Sequence, residues 1–122
     1  MIFLEESLHG DKLKTARRLF TKKIITSLPD VIITSNDLIA QGIISAAHEN
    51  GINIPNDMQI TGFDDSLSSA YFIPSVTTVS QNIDKLAKRC FSMLMDLINK
   101  KSAVSSIIEQ NIIARNSAKI NI

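Results

Sequence analysis

The feature that most constrains this chain is a repeated alternation. A short apolar run meets a polar stop, and a longer stretch with apolar residues at helical spacing follows. Val31-Ile32-Ile33-Thr34 is a continuous β-branched run of the kind a strand covered on both faces shows. Ser35-Asn36-Asp37 then supplies helix-capping side chains, and Ile39, Gly42, Ile43, Ala46 and Ala47 form one apolar stripe that stops at Asn50-Gly51. Pro55-Asn56-Asp57 makes a turn before Met58-Gln59-Ile60-Thr61-Gly62-Phe63, a second buried-strand candidate that ends at Asp64-Asp65. Upstream, Ile2 to Glu5 reads as a short strand, and after Gly10-Asp11 a helical stripe runs through Leu13, Ala16, Leu19 or Phe20, and Ile24. Downstream, a loop of small residues reaches Pro74, and Val76-Thr77-Thr78-Val79 is a further strand candidate. Ile83, Leu86, Ala87, Cys90, Phe91, Leu94, Leu97 and Ile98 give the longest helical stripe, and residues 107–114 a final strand. Strands alternating with helices through short turns predict an α/β layer structure with a parallel sheet and right-handed crossovers.

The chain's 122 residues suit one domain, which buries roughly two-thirds of its unfolded surface without a metal or disulfide. At 44% hydrophobic and 20% charged it is neither a disordered tail, a collagen-like fibre nor a disulfide-stapled module. Cys90, the single cysteine, cannot form an internal bridge, which suits a reducing compartment, and the stripe it shares predicts a buried structural thiol rather than a nucleophile. No apolar run approaches the roughly 18 residues of a membrane helix. Met1-Ile2-Phe3-Leu4 meets Glu5-Glu6 too early for a signal peptide, so a cytoplasmic location is expected.

The formal net charge of +1 conceals an asymmetry. Residues 24–84 contain no Lys or Arg, yet hold Asp30, Asp37, Glu49, Asp57, Asp64, Asp65 and Asp84. That middle repels phosphate. The one basic cluster, Lys12, Lys14, Arg17, Arg18, Lys22 and Lys23, reads as a solvated helix face rather than a nucleic-acid footprint.

In an open parallel sheet ligands bind beyond the carboxyl ends of the strands. Asn36 and Asp37 follow one strand there, Asp64 and Asp65 the next, and Gln81 the one after, so side chains distant in sequence converge. A carboxylate beside two amides suits the hydroxyls or ring nitrogens of a small polar ligand. The same residues also carry a purely structural reading, in which Asn36 caps its helix and the two aspartates shape a turn. Adjacent residues at an extended strand end point to opposite sides, so Asp64 and Asp65 do not form a facing acid/base pair and no catalytic residue is assigned. His9 and His48 share no metal-ligand spacing, and no glycine-rich phosphate loop joins a strand to a helix, so neither metal nor cofactor is expected. A phospho-accepting receiver domain also fits the size, but its acidic pair follows the first strand, and here Ser80-Gln81 stands where such a domain carries a lysine after its last parallel strand.

Pro29-Asp30, Ser35-Asn36-Asp37-Leu38-Ile39-Ala40-Gln41-Gly42, Gly51-Ile52-Asn53-Ile54-Pro55-Asn56-Asp57 and Ile60-Thr61-Gly62-Phe63-Asp64-Asp65 occur in an order and spacing that resemble the lactose-repressor/galactose-repressor family. Pro74-Ser75-Val76-Thr77-Thr78-Val79-Ser80-Gln81 is similar to that family's proline-then-Thr-Thr segment, and Arg115-Asn116-Ser117 to its terminal Arg-x-Ser. The resemblance spans residues 29–117. It implies a periplasmic-binding-protein type I fold, of which this chain holds an incomplete share, mainly one subdomain. Residues 1–122 would then be a C-terminal portion of an effector-binding and dimerisation domain, with the helix-turn-helix DNA reader outside this chain. The implied function is sensing of a sugar or purine-like effector for a transcriptional repressor. The alternative is a solute-binding protein of a transport system, with an enzyme of similar fold third. By the resemblance Asn36 is the cleft amide, Asp64 the carboxylate that grips the effector, and Gln81 a hinge-proximal cleft residue.

Two expectations combine pattern and family. The helix face holding Asp37, Ala40, Gln41, Ile44 and His48 lies mostly outside the core stripe. With Tyr71 and Phe72 it suggests a homodimer surface made by Gln41, Ile44, His48, Tyr71 and Phe72. The family docks the helix over residues 83–100 against the other subdomain, so its stripe lacks an obvious partner here and should fold back or pack against another copy.

Overall fold

The structure, a computed structural model, describes residues 2–4 by their backbone path and residues 11–120 in full. Glu5, His9 and Gly10, for which the sequence carried expectations, lie outside the described residues. Strand β1 (Ile2–Leu4) pairs in parallel with β2 (Val31–Thr34), and β2 in parallel with β3 (Gln59–Thr61), in the order β1-β2-β3. Helix α1 (Lys12–Leu19), prolonged by a π-helical turn over Phe20–Ile24, connects the first pair, and α2 (Asp37–Glu49) the second. Sequential parallel strands laid down in one direction put both connecting helices on one face of the sheet.

That face is the core. Ala16, Phe20 and Ile24 from α1 and its extension meet Ile39, Ala40, Ile43, Ile44, Ala46 and Ala47 from α2, over Ile32 and Ile60 of the sheet. Gly42 is where the helices touch, since a Cβ there would stand 2.8 Å from the Leu13 carbonyl oxygen and 3.0 Å from the Ala16 Cβ. The opposite sheet face is only partly covered, with Val31, Gln59 and Thr61 half-buried. Ile33 is 37% exposed, so β2 is buried on one side and not on both as its apolar run suggested.

The helix ends follow their sequence signals. Asp11 caps α1 by accepting from the Lys14 backbone N–H at 3.2 Å, and that hydrogen bond holds its carboxyl below the ordinary value. Asn36 caps α2 by accepting from the Ile39 N–H at 2.9 Å. The basic cluster is not uniformly solvated. Arg17 makes a two-pronged pair with Glu49 at 2.6 and 2.7 Å and also donates to Ser45, fastening α1 to the end of α2.

Beyond β3 the chain departs from a simple parallel sheet. Segment 77–79 runs beside β3, with a parallel bridge between Thr61 and Thr77, the Gly62 N–H donating to the Thr77 carbonyl at 2.8 Å, and the Asp64 N–H to the Val79 carbonyl at 3.0 Å. It continues into β4 (Thr78–Ser80), which pairs antiparallel with β5 (Asn111–Ile113). The final strand is therefore shorter than residues 107–114 and joins a two-stranded ladder. The small-residue loop contains a helix with no signal in the pattern, α3 (Leu67–Tyr71).

The Arg-x-Ser segment closes this edge. Ser117 is fully buried, its hydroxyl accepts from the Thr77 N–H at 2.8 Å and donates to the Ile60 carbonyl at 2.6 Å, and its own carbonyl accepts from the Ile60 N–H at 2.9 Å. Ser117→Ala removes the hydroxyl and strands two buried backbone groups. We expect a loss of about 1–3 kcal/mol in stability, read as a lowered urea midpoint; an unchanged midpoint would show that the backbone groups find other partners.

Helix α4 (Ile83–Ile98) has no buried residue. Ile83, Phe91, Leu94, Leu97 and Ile98 are all more than half exposed, so within the described residues the stripe does not fold back as expected. Cys90, placed by that stripe, is exposed and not a buried thiol. The stripe was legible, but a buried stripe needs a second surface, and among the described residues α4 makes side-chain hydrogen bonds to the segment that follows it. There Arg89 donates to Ser106 Oγ and to the Val104 carbonyl, both at 2.8 Å.

Candidate functional site

The strand ends converge as the parallel arrangement requires. Asn36 and Asp64 line one hollow of about 350 Å³ together with Lys12, Asp37, Leu38, Ser66 and Ser68. Gln81 does not line that hollow directly but reaches its edge, its Nε2 donating to Asp64 Oδ1 at 2.6 Å. Asn36 serves its capping role at the same time. Its Oδ1 is taken by the Ile39 N–H, which leaves its amide nitrogen as the group with capacity to spare.

Asp64 and Asp65 do not lie on an extended strand end. Their φ values of 108° and 54° place both in the left-handed region, which non-glycine residues enter at a cost. The turn is held by specific bonds. The Asp64 N–H donates to Val79, the Asp65 N–H to Thr78 Oγ1 at 3.3 Å, and the Asp65 carboxylate takes Arg115 at 2.6 Å. Arg115 also donates to the Val76 carbonyl at 2.9 Å. The two carboxylates therefore face different partners, Asp65 the Arg115 guanidinium in an ion pair and Asp64 the Gln81 amide at its Oδ1. The cause of that division is the turn geometry and not strand alternation.

The strand-end pattern names Asp37 beside Asn36 but gives it no role, and the structure supplies one. Asp37 is 1% exposed, and its Oδ2 accepts from the Ser66 N–H and the Ser69 hydroxyl, both at 2.7 Å, while Oδ1 accepts from the Thr78 hydroxyl at 2.6 Å. Gly62 makes room for it, since a Cβ at position 62 would stand 2.1 Å from Asp37 Oδ1. In sequence Asp37 looks like an ordinary acidic first-turn residue.

The residues assigned to a homodimer surface separate. Gln41 is 4% and Ile44 1% exposed, so both are covered within the chain and are not the outward face expected. The physical reason is α3, because Gln41 Nε2 donates to Ser68 Oγ at 2.8 Å and Ser69 Oγ at 3.2 Å, and Phe72 packs on the same core from the side. His48 and Tyr71 are exposed, Tyr71 at 79%, and Phe72 is half-buried. A second, mainly apolar hollow of about 360 Å³ lies at this end of α2, lined by Ile44, His48, Gly51, Ile52, Asn53, Ile54, Ile73 and Pro74. Both hollows take residues from α2, one from Asp37 and Leu38 at its start and the other from Ile44 and His48 toward its end. Among the described residues no cluster of His, Cys, Asp or Glu is arranged to hold a metal, and no helix is long and apolar enough to cross a membrane.

The fold is thus an α/β lobe with a three-stranded parallel sheet and a polar hollow at its strand ends. Residues 4–118 match the periplasmic binding protein-like domain, and the chain belongs to that family. Its relatives include the HTH-type transcriptional repressor PurR of Pasteurella multocida, 35% identical over 95 residues covering 76% of this chain and 28% of that repressor. The chain thus spans little more than a quarter of the repressor's length. Among solved structures, the periplasmic binding ribose operon repressor protein of Lactobacillus acidophilus superposes with a TM-score of 0.82 at 31% identity, covering 94% of this chain and 43% of that one. A LacI-type transcription regulator from Bifidobacterium animalis gives a TM-score of 0.73 at 27% identity, covering 89% and 39%. These relatives are transcriptional repressors and regulators of the lactose-repressor type, which favours that reading over a solute-binding protein of a transport system.

Proposed function

We propose that this chain forms the effector-gripping lobe of a cytoplasmic transcriptional repressor and performs no catalysis. The observation that carries the reading is the Asp64–Gln81 hydrogen bond at the rim of a hollow shared with Asn36, in a chain of the periplasmic binding protein-like family. Asp64 Oδ2 accepts from an effector hydroxyl or ring N–H, and the amides of Asn36 and Gln81 donate to its oxygens or ring nitrogens. The ligand class is a sugar or a purine-like base. Binding biases the closure of this lobe on a second one, and a dimer passes that bias to a DNA-binding domain elsewhere in the repressor.

Two exposed apolar surfaces support the assembly. Leaving a large apolar side chain in water forgoes roughly 1.5–3 kcal/mol of burial, so the bare stripe of α4 suits docking against the second lobe. Leu67, Tyr71 and Ile73 are each at least 79% exposed, Ile73 lines the apolar hollow by His48, and together with the half-buried Phe72 they suit a homodimer contact.

The reading is tested by calorimetric titration of D-ribose and hypoxanthine into the wild-type chain and into Asp64→Asn. One probe binds the wild type, and the amide variant binds it roughly 10- to 100-fold more weakly, the effect of losing a charged acceptor. Equal affinity of the two proteins, or no binding of either probe to the wild type, contradicts the assignment.

A further inference from the structure

We propose that Asp37 is a positioning residue for this site: its buried carboxylate sets the places of Asn36, Asp64 and Gln81 without contacting the effector. The proposal deepens the effector reading and rests on it for its functional meaning, but its geometry stands apart. Asn36 precedes Asp37 directly, so the register of Asp37 fixes the amide. Ser66, whose N–H donates to Asp37 Oδ2 at 2.7 Å, directly follows the left-handed pair Asp64 and Asp65. Thr78, whose hydroxyl donates to Asp37 Oδ1 at 2.6 Å, lies three residues before Gln81 and also accepts from the Asp65 N–H at 3.3 Å. Ser69 supplies a further hydroxyl at 2.7 Å.

One side chain therefore ties three strand-end segments that are distant in sequence. The tie is directional, because a carboxylate only accepts while every partner presents a donor. It is also short of slack. Gly62 approaches Asp37 so closely that no side chain fits between them, and the Asp37 N–H donates to the Phe63 carbonyl at 2.9 Å. Site geometry that must hold within a fraction of an ångström is commonly fixed by such supporting hydrogen bonds, and here the strained turn at Asp64 and Asp65 is what needs support.

The test reads the Gln81 side-chain amide by ¹⁵N NMR in the full chain, with the signal assigned by its loss in Gln81→Glu and its unbonded position taken from Asp64→Ala. In Asp37→Ala the Gln81 amide signals move to the position they hold in Asp64→Ala. Thr78→Val cuts only the arm from Asp37 to β4 and moves them the same way, whereas Thr78→Ser, which keeps the hydroxyl, restores them. If Asp37→Ala does not fold, the Thr78 pair decides. Gln81 signals that stay at their wild-type position in Thr78→Val, or that respond alike to valine and serine, overturn the proposal, even if thermal stability falls. None of these signals requires a ligand. Failure of both D-ribose and hypoxanthine to bind the wild type would remove the effector reading and leave the positioning result readable.

Discussion

Gly62→Ala collapses the strand-end platform. The added methyl would stand 2.1 Å from Asp37 Oδ1, 3.1 Å from its Cα and 3.2 Å from its Cγ. A rotamer change of Asp37 relieves the carboxylate clash only by abandoning Ser66, Ser69 and Thr78, and does nothing for the contact with its Cα. Either the buried carboxylate loses its donors or β3 and the start of α2 move apart. Overpacking and orphaned buried polar groups each cost about 1–3 kcal/mol, so their combination is expected to remove about 3 kcal/mol or more. A urea titration followed by far-UV circular dichroism reads the loss as a lowered midpoint. A midpoint equal to the wild type would show that the segment from Asp37 can step aside.

Ile44→Glu unfolds the chain. Ile44 is 1% exposed and belongs to the same core cluster as Phe20, Ile32 and Ile60, and the apolar hollow it borders holds no lysine or arginine, only the imidazole of the exposed His48. A carboxylate there is a buried charge without a lysine or arginine partner, in place of a well-packed aliphatic side chain. Such substitutions fall in the tail of the mutational distribution, above about 4 kcal/mol. The expected result is loss of the helical dichroism signal at room temperature. A folded chain that merely changes its sedimentation mass would instead place Ile44 on an outer surface, the arrangement its helical spacing first suggested.

That contrast marks what the pattern could and could not carry. The stripe of Ile39, Gly42, Ile43, Ala46 and Ala47 is the core face of α2, and period alone finds it. Gln41 is bonded to α3, a five-residue helix too short to generate a period, and Ile44 lies in the core cluster beside a hollow it shares with Ile73 and Pro74. Burial imposed by a segment some thirty residues away leaves no trace in the local sequence. Asp37 was placed at a strand end, but its bonding role was hidden for the same reason. Its neighbour Asn36 accounts fully for the cap, and the donors that occupy Asp37 come from positions 66, 69 and 78.

Asn36, Asp64 and Gln81 were legible because parallel topology dictates where strand ends gather, whatever the side chains are. The motif residues gain physical roles in the structure. Arg115 and Ser117 stitch segment 76–77 to the Asp65 turn and to Ile60, an edge closure that spacing alone does not specify. The stripe of α4 was equally clear, but a stripe records that a surface is to be covered and not what covers it.

The central claim is that a small polar ligand sits at the strand-end hollow. Its most direct test is a ¹⁵N chemical-shift map of the wild-type chain during titration with D-ribose and with hypoxanthine. The account predicts that one probe shifts the backbone amides of Leu38, Asp64, Asp65 and Ser66 together with the side-chain amides of Asn36 and Gln81. Shifts confined to the apolar hollow around His48, Ile52 and Ile73, or none with either probe, would contradict it.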